Sequence, residues 1–305
     1  MDDAQQNAPL HCGFVALIGP TNAGKSTLLN QAVGAKLSIV THKVQTTRFR
    51  VRGIAIRDAA QIIFVDTPGI FKPRRRLDRA MVDAAWGGAR EADLIILVID
   101  AERGLTEDAE AIAKGLVDAG RRAILALNKV DLVKRESLLA LTDAFRAFDI
   151  FDAVFMISAE SGDGVAQLLD DVARRLPSGP WLYPEDQLSD ITERLMAAEI
   201  TREKLYLRLH QELPYDSTVE TEAWERQKDG SVRVSQVIYV RRDSQKPIVL
   251  GKRGQTIKQI GAAARAEMAE TFGCPIHLFL FVKVSGKWVD DPERYREIGL
   301  DFSAG

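Results

Sequence analysis

The sequence is poor in cysteine. Only Cys12 and Cys274 occur in 305 residues, far apart and at no zinc or redox spacing. A disulfide scaffold, a structural zinc domain and a dithiol oxidoreductase are thereby excluded, and both residues are expected to be free thiols in a reducing compartment. Proline (11) and glycine (22) are not in excess, which argues against low-complexity tracts. Long apolar runs are missing as well. Stretches such as Leu94–Ile99 fall far short of the roughly 20 residues that cross a bilayer. The first ten residues, MDDAQQNAPL, have neither a basic start nor an apolar centre. They do not read as a signal peptide, and residues 1–10 are set aside as an N-terminal extension. The protein is expected to be cytoplasmic. A formal net charge of −2 gives no field of one sign over the whole chain.

What is present is organised. The length suits two domains. Residues 1–180 carry 23 basic and 23 acidic groups. Residues 185–225 carry 4 and 11, and residues 226–287 carry 12 and 4. The last segment, at net +8, suggests a face for a polyanion, although a solvated sheet edge would read the same way.

Residues 14–18, 62–65, 94–99, 123–127 and 153–157 are short, nearly continuous apolar runs, as strands buried on both faces of a parallel sheet read. Helical patterns lie between them, so residues 11–178 predict an α/β doubly wound domain, with Arg48–Arg57 as a candidate edge strand. The segment Leu176–Asp186 holds three prolines and a glycine, and residues 179–187 are taken as a linker. Residues 188–305 then predict a smaller α+β domain. Thr218–Glu225 and Val232–Arg241 read as paired strands across Lys228-Asp229-Gly230, a hairpin signal.

Residues 19–26 read GPTNAGKS, the phosphate-binding loop G-x-x-x-x-G-K-[ST], between an apolar strand and a helical pattern. Its glycines let backbone N–H groups face phosphate oxygens, and the helix start adds a positive dipole end. Lys25 would reach the β- and γ-phosphates, and the Ser26 hydroxyl would bind Mg²⁺. The expected nucleotide contacts here are Gly19, Pro20, Thr21, Asn22, Ala23, Gly24, Lys25, Ser26 and Thr27.

Three further motifs follow apolar strands. Asp66-Thr67-Pro68-Gly69 offers a carboxylate that would hold Mg²⁺ through water, and it offers the Gly69 amide to the γ-phosphate. Asn128-Lys129-Val130-Asp131 offers a carboxylate that accepts from guanine N1–H and its 2-amino group. Adenine lacks that donor pair, so Asp131 selects guanine. Asn128 would brace the loop and contact N7, and the Lys129 stem would lie over the base. Ser158-Ala159-Glu160 offers the Ala159 amide to guanine O6. An Asp after a strand is often only a cap. Four motifs in order at strand ends, where open α/β sheets bind ligands, point instead to a GTP site.

Hydrolysis is tuned by what surrounds this site. Thr46 and Thr47 are both candidates to supply a hydroxyl to Mg²⁺ and the γ-phosphate, with Thr47 preferred. Ile70 stands where many small GTPases place a water-positioning glutamine. Asn22 points to K⁺ as an activator that supplies positive charge. Lys25, Thr47, Gly69 and Asn22 are therefore the expected catalytic set. Arg74, Arg75 and Arg76 read as a solvated loop or an RNA contact before an arginine finger.

Residues 248–261, IVLGKRGQTIKQIG, place a G-x-x-G loop before a helix and, as read here, after a strand end. This loop clamps about four nucleotides of single-stranded nucleic acid in KH domains. The expected RNA contacts are Gly251, Lys252, Arg253, Gly254 and Lys258, with Arg241 and Arg242 beside them. Alone, the loop is as readily a plain turn; the +8 segment around it favours RNA. His210 and His277 read as structural, and Trp181, Trp224 and Trp288 as packing residues.

A P-loop GTPase domain, a Pro-containing linker and a type II KH domain, carrying GPTNAGKSTLLN, QTTR, DTPGI, NKVD, ISA and GKRGQTIKQIG, closely resemble the Era family of bacterial ribosome-assembly GTPases. The resemblance covers nearly the whole chain. It implies a TrmE-Era-EngA-like GTPase domain and a GTP switch that binds small-subunit rRNA near its 3′ end and releases it on hydrolysis. It also implies Mg²⁺, a monomer, and peripheral association with the cytoplasmic face of the inner membrane. Two alternatives are an RNA-binding scaffold that holds GTP structurally and another RNA-modification or assembly GTPase.

Overall fold

The five apolar runs become the parallel strands of a six-stranded sheet in the computed structural model, which describes residues 9–43, 46–209, 213–286, 291–297 and 299–304. Most of the N-terminal extension, His210 and Trp288 lie outside the described residues. The strands are β1 (His11–Ile18), β2 (Val51–Arg57), β3 (Ala60–Asp66), β4 (Leu94–Asp100), β5 (Ala123–Asn128) and β6 (Phe151–Ile157). Their order is β2-β3-β1-β4-β5-β6. Only β2 is antiparallel, paired with β3 at one edge, where Arg52 alternates outward.

Helices cover both faces. Residues of α2 (Arg76–Glu91), α3 (Glu107–Asp118) and α4 (Arg135–Arg146) share one core with alternate residues of β1, β4 and β5, including Ile18, Leu97 and Leu125. On the other side α1 (Lys25–Val33) and α5 (Val165–Arg175) contact β2 and β3. This is the doubly wound arrangement, and it gathers the strand ends that carry the motifs along one edge of the sheet.

The chain divides into two compact units. The first takes in 47–190 with residues up to 38 and those after 298; the second takes in Ile39–Thr46 and Ile191–Glu297. The Pro-rich segment is bound to the first unit rather than free. Gln61, fully buried in β3, accepts from the backbone N–H of Leu182 (2.9 Å) and Tyr183 (3.1 Å) and donates to the Tyr183 carbonyl (2.8 Å). The Trp181 indole donates to the Ala59 carbonyl, and the Ile54 N–H donates to Leu188. Burial pushes the Cys12 thiol beside Gln61 above its ordinary pKa. Cys12 and Cys274 are both free.

The second unit runs α6 (Glu193–Arg208), β7 (Ser217–Arg226), β8 (Val232–Val240), α7 (Lys246–Leu250), α8 (Gln255–Phe272) and β9 (Ile276–Val284), with α9 (Pro292–Glu297) after it. The sheet order is β7-β8-β9, with β7 antiparallel and β9 parallel to β8. α6 and α8 pack on one face through Leu205, Tyr206, Ile260, Ile238 and Val282. Trp224 stacks edge-on against Phe272 at 5.1 Å.

One local expectation is corrected. The residues before the G-x-x-G loop, Ile248-Val249-Leu250, belong to a short helix, not a strand. Pro247 stands at the start of that helix, where its fixed φ suits the first turn and its missing N–H is not needed.

Candidate nucleotide and RNA sites

The phosphate loop is shaped by backbone only special residues adopt. Gly24 caps α1 at φ 95°, and Asn22 sits at φ 63°. Asn tolerates that left-handed conformation better than most residues. At Gly24 a Cβ would lie 2.1 Å from Asn128 Nδ2. The loop therefore closes against the end of β5, and only glycine fits.

Asn128 braces two loops at once. Its Nδ2 donates to the Ala23 carbonyl (2.8 Å), and its Oδ1 accepts from the Ala159 N–H (2.9 Å). Lys129, at φ 64°, turns its ammonium onto Asp100 at the end of β4 (2.6 Å). Asp131 follows in a short 3-10 turn and is exposed. Ser158 and Ala159 are buried, and a Ser158–Asp163 bridge closes the next loop, with Glu160 exposed on it. Asn128, Asp131 and Ala159 are thus drawn to one end of the sheet beside the phosphate loop. Asp100 was not singled out by its sequence; its only signal is a carboxylate ending an apolar strand.

A second convergence lies at the start of α1. Ser26 Oγ donates to Asp66 Oδ2 (2.6 Å) and lies 2.8 Å from Thr47 Oγ1. Ser38 Oγ also donates to Asp66 Oδ2 (3.0 Å). Thr46, by contrast, bonds the Lys43 carbonyl and the Thr41 hydroxyl within its own loop. Geometry therefore favours Thr47 over Thr46. The second Asp66 oxygen, Oδ1, is buried and accepts no hydrogen bond. A buried carboxylate oxygen without a protein donor is suited to a cation, and a hard set of carboxylate and hydroxyl oxygens suits Mg²⁺. Ser26, Thr47 and Asp66 fit that ion. Burial pushes the Asp66 carboxyl up, against Lys25 and the three hydroxyls that pull it down.

Lys25 is buried, and its ammonium donates to the carbonyls of Gly19 (3.1 Å) and Pro20 (2.9 Å). Burial lowers its pKa to about 8, with Asp66 opposing the shift. The DTPG segment is tied in by Thr67, whose hydroxyl donates to the Leu17 carbonyl, and by the Ile70 N–H, which donates to Gly19. A Cβ on Gly69 would lie 2.7 Å from Thr21 Cγ2 and 2.9 Å from Thr21 Cα, so this close passage also requires glycine. The Ile70 side chain packs in the core shared with α2 and α3. It presents no polar group to water. Arg74 and Arg75 are exposed, and their N–H groups are held by Asp78 as α2 begins. Arg76 lies over Phe302 at 4.5 Å.

In the second unit, Gly251 (φ 73°), Arg253 (φ 54°) and Gly254 (φ 76°) turn the chain sharply into the 18-residue α8. A Cβ on Gly251 would strike Thr256 at 2.1 Å, whereas at Gly254 it would meet open space. Lys252, Arg253 and Lys258 are exposed beside the helix start, as is Ile248. Arg241 lies 3.8 Å from Asp216, which also holds Gln245, so its charge is partly offset. Arg242 starts the turn that leads into α7. Sequence reasoning passed over Lys43, Arg202 and Glu203 in this unit. Arg202 is buried on α6 against Glu199 and donates to the Thr46 carbonyl. Lys43 donates to the carbonyls of Tyr206 and Leu209 at the end of α6, and Glu203 accepts from the Val40 N–H (3.0 Å).

Residues 14–129 match the family of 50S ribosome-binding GTPases, and residues 212–289 match the KH domain. The chain is 65% identical to the GTPase Era of Agrobacterium fabrum over 297 residues, covering 97% of this chain and 94% of that one. It is 64% identical to that of Sinorhizobium medicae, covering 99% and 97%. Two solved structures share the fold at a TM-score of 0.90 and 36% identity, each covering 95% of this chain and 99% of the other. One is a variant of Aquifex aeolicus Era bound to GDP·AlF4⁻. The other is Era in complex with MgGDPNP and nucleotides 1506–1542 of 16S ribosomal RNA. A P-loop GTPase domain followed by a KH domain, matched over nearly the full chain at this identity, leaves one assignment: the chain belongs to the Era GTPase family.

Proposed function

We propose that this GTP hydrolase is a switch in assembly of the small ribosomal subunit, holding rRNA near its 3′ end while GTP is bound and releasing it after hydrolysis. The observation that carries this reading is the pairing, in one chain, of a guanine-nucleotide site with a G-x-x-G loop that opens a helix among exposed cations. The solved Era complex with a 16S rRNA fragment supports it.

In this reading the backbone of residues 19–27 and Lys25 hold the phosphates, and Thr67 and Pro68 carry Gly69 to the γ-phosphate. Asp131 reads the guanine, and Asn128, Lys129 and the Ser158–Glu160 loop frame it. Mg²⁺ at Ser26, Thr47 and Asp66 offsets charge on the β- and γ-phosphate oxygens. Water attacks the γ-phosphorus, the bond to the β-phosphate oxygen breaks, and GDP and phosphate leave. With Ile70 in the core, no side chain at that position orients the water. Asn22 is the residue through which K⁺ would add positive charge, so turnover is expected to be faster in K⁺ than in Na⁺.

Among the described residues no helix is long and apolar enough to cross a membrane. The family resemblance implies peripheral membrane contact, in a protein that works as a monomer in the cytoplasm. The test is crosslinking of the GTP-bound and GDP-bound protein to cellular RNA, followed by sequencing. A peak at the 3′ end of small-subunit rRNA, stronger with GTP, is expected; capture elsewhere, or equal capture in both states, overturns the switch.

A further inference from the structure

The sheet of the second unit has a face that its helices do not cover. Parallel pairing of β8 with β9 sets Arg233 beside His277, Ser235 beside Phe279, Val237 beside Phe281 and Tyr239 beside Lys283. Exposure along β9 alternates accordingly. Ile276 and Val282 are buried towards the helices, and His277, Phe279, Phe281 and Lys283 are exposed. Phe279 and Phe281 are 45% and 54% exposed. Two half-exposed rings on an edge strand are an aggregation hazard unless something binds there.

The surroundings indicate what that is. The Arg233 guanidinium lies over the Phe279 ring at 5.2 Å. Next to it an open depression of about 580 Å³ is lined by Phe279, Lys228, Arg233 and His277, together with Asp229. Asp229 is engaged by the Ser231 N–H and hydroxyl. The charges that face these cations come from β7. Glu225 stands 3.9 Å from Arg233 with both side chains more than half exposed, and Glu222 pairs with Lys283 at 2.8 Å. Exposed pairs of this kind are weak and exchange readily for another anion. The face is thus acidic along β7, and aromatic and basic along β9.

We propose that the open side of β9 is a second nucleic-acid subsite, where Phe279 and Phe281 stack unpaired RNA bases and Arg233, His277 and Lys228 take the adjoining phosphates. Side chains two apart on a strand lie on one face roughly 6.7 Å from each other. Sheet aromatics placed this way stack two or three bases in other single-strand readers, and base stacking tolerates any sequence. A protein partner would gain from the rings but not from two cations and an imidazole around a depression. The rings lie on the face of β9 opposite the helix that carries the clamp. The helix side of β9 packs on α8 through Leu280, against which a Cβ on Gly261 would stand at 3.4 Å. α8 is the helix that the G-x-x-G loop opens. In this proposal a strand leaving that loop passes around edge strand β9 to the rings. This inference rests on the reading of the second unit as RNA-binding.

The test uses the full chain with Mg²⁺ and a non-hydrolysable GTP analogue. Two unstructured RNA probes are compared by fluorescence anisotropy: one of about four nucleotides, which fills the clamp alone, and one of about twelve. Phe279→Thr and Phe281→Thr keep β-branched residues on the strand. Each is expected to weaken the longer probe about tenfold and leave the shorter unchanged. Phe279→Trp should retain full affinity. Gly254→Asp should weaken both probes. An unchanged affinity of the double Thr variant for the longer probe overturns the subsite in favour of a protein occupant, and equal losses on both probes overturn it in favour of a structural role. Insensitivity of both probes to Gly254→Asp removes the RNA-binding reading itself, a failure distinct from the other two.

Discussion

At the scale of single residues, the nucleotide site is held by groups that touch one another more than by groups that stand alone. Asn128 joins the phosphate loop to the Ala159 loop through two hydrogen bonds. Gly24→Ala would drive a methyl group into the Asn128 amide, 2.1 Å away, at a φ of 95° that alanine resists. Losing those bonds and adding strain each cost about 1–3 kcal/mol. Affinity for a fluorescent GDP analogue should therefore fall at least tenfold. Gly34→Ala is the control. Its φ is also positive, 75°, but nothing lies within 4 Å, so it should cost stability alone and leave GDP affinity as it was. Equal effects at both glycines would show that strain, not the Asn128 contact, decides. Asp131→Asn should shift preference from GTP to xanthosine triphosphate, since an amide matches the altered base; retained GTP preference in competition binding would contradict the base contact. Much at this scale was legible. Asn128 and Asp131 stand out by spacing, and the sequence already favours Thr47 over Thr46; Thr47 Oγ1 lies 2.8 Å from Ser26 Oγ. Ser38 and Asp100 are invisible in sequence because a lone hydroxyl or carboxylate near a strand end has too many structural uses.

At the scale of elements, legibility followed burial. β1, β3, β4 and β5 read clearly because both their faces are buried, which leaves apolar runs with few rivals, whereas β6 at the sheet edge is only partly buried. The edge strand β2 read from its alternation. The short helix α7 did not, since Ile-Val-Leu before a glycine looks like a strand end, and Pro247 together with the turn after Arg242 decides otherwise. The Pro-rich segment reads as a linker because prolines and glycines mark breaks, but they do not say what the segment rests on. Its anchor is Gln61, a polar residue in an otherwise apolar strand. Gln61→Leu keeps the volume but strands two N–H groups and a carbonyl. Urea unfolding of the first unit should show a loss of about 1–3 kcal/mol. A loss below about 0.5 kcal/mol, the level of an ordinary surface change, would mean that the segment finds other partners or water. The helix start at α6 offers a smaller case. Thr192 accepts from the Leu195 N–H, and Thr192→Ala should cost the second unit about 1 kcal/mol in the same measurement.

At the scale of the whole molecule, a switch is a statement about linked equilibria. The +8 segment suggests a polyanion face, but charge alone says nothing of coupling. If a GTP analogue tightens RNA binding by some factor relative to GDP, RNA must raise the preference for that analogue over GDP by the same factor. Couplings of this kind are usually about 1–3 kcal/mol, or roughly 5–150-fold. The measurement closes a square: RNA affinity in the analogue and GDP states, and affinity for each nucleotide with and without saturating RNA. The two factors should agree. Gly254→Asp should then remove the RNA-dependent change in nucleotide affinity while leaving RNA-free nucleotide binding as in the parent. The new side chain enters open space at the start of α8, and its carboxylate opposes phosphate there. Two factors near unity would leave a GTPase and an RNA-binding unit that share a chain without forming a switch. Matched factors that survive Gly254→Asp would place the coupled RNA contact outside the clamp, and the open side of β9 would then be the first place to look.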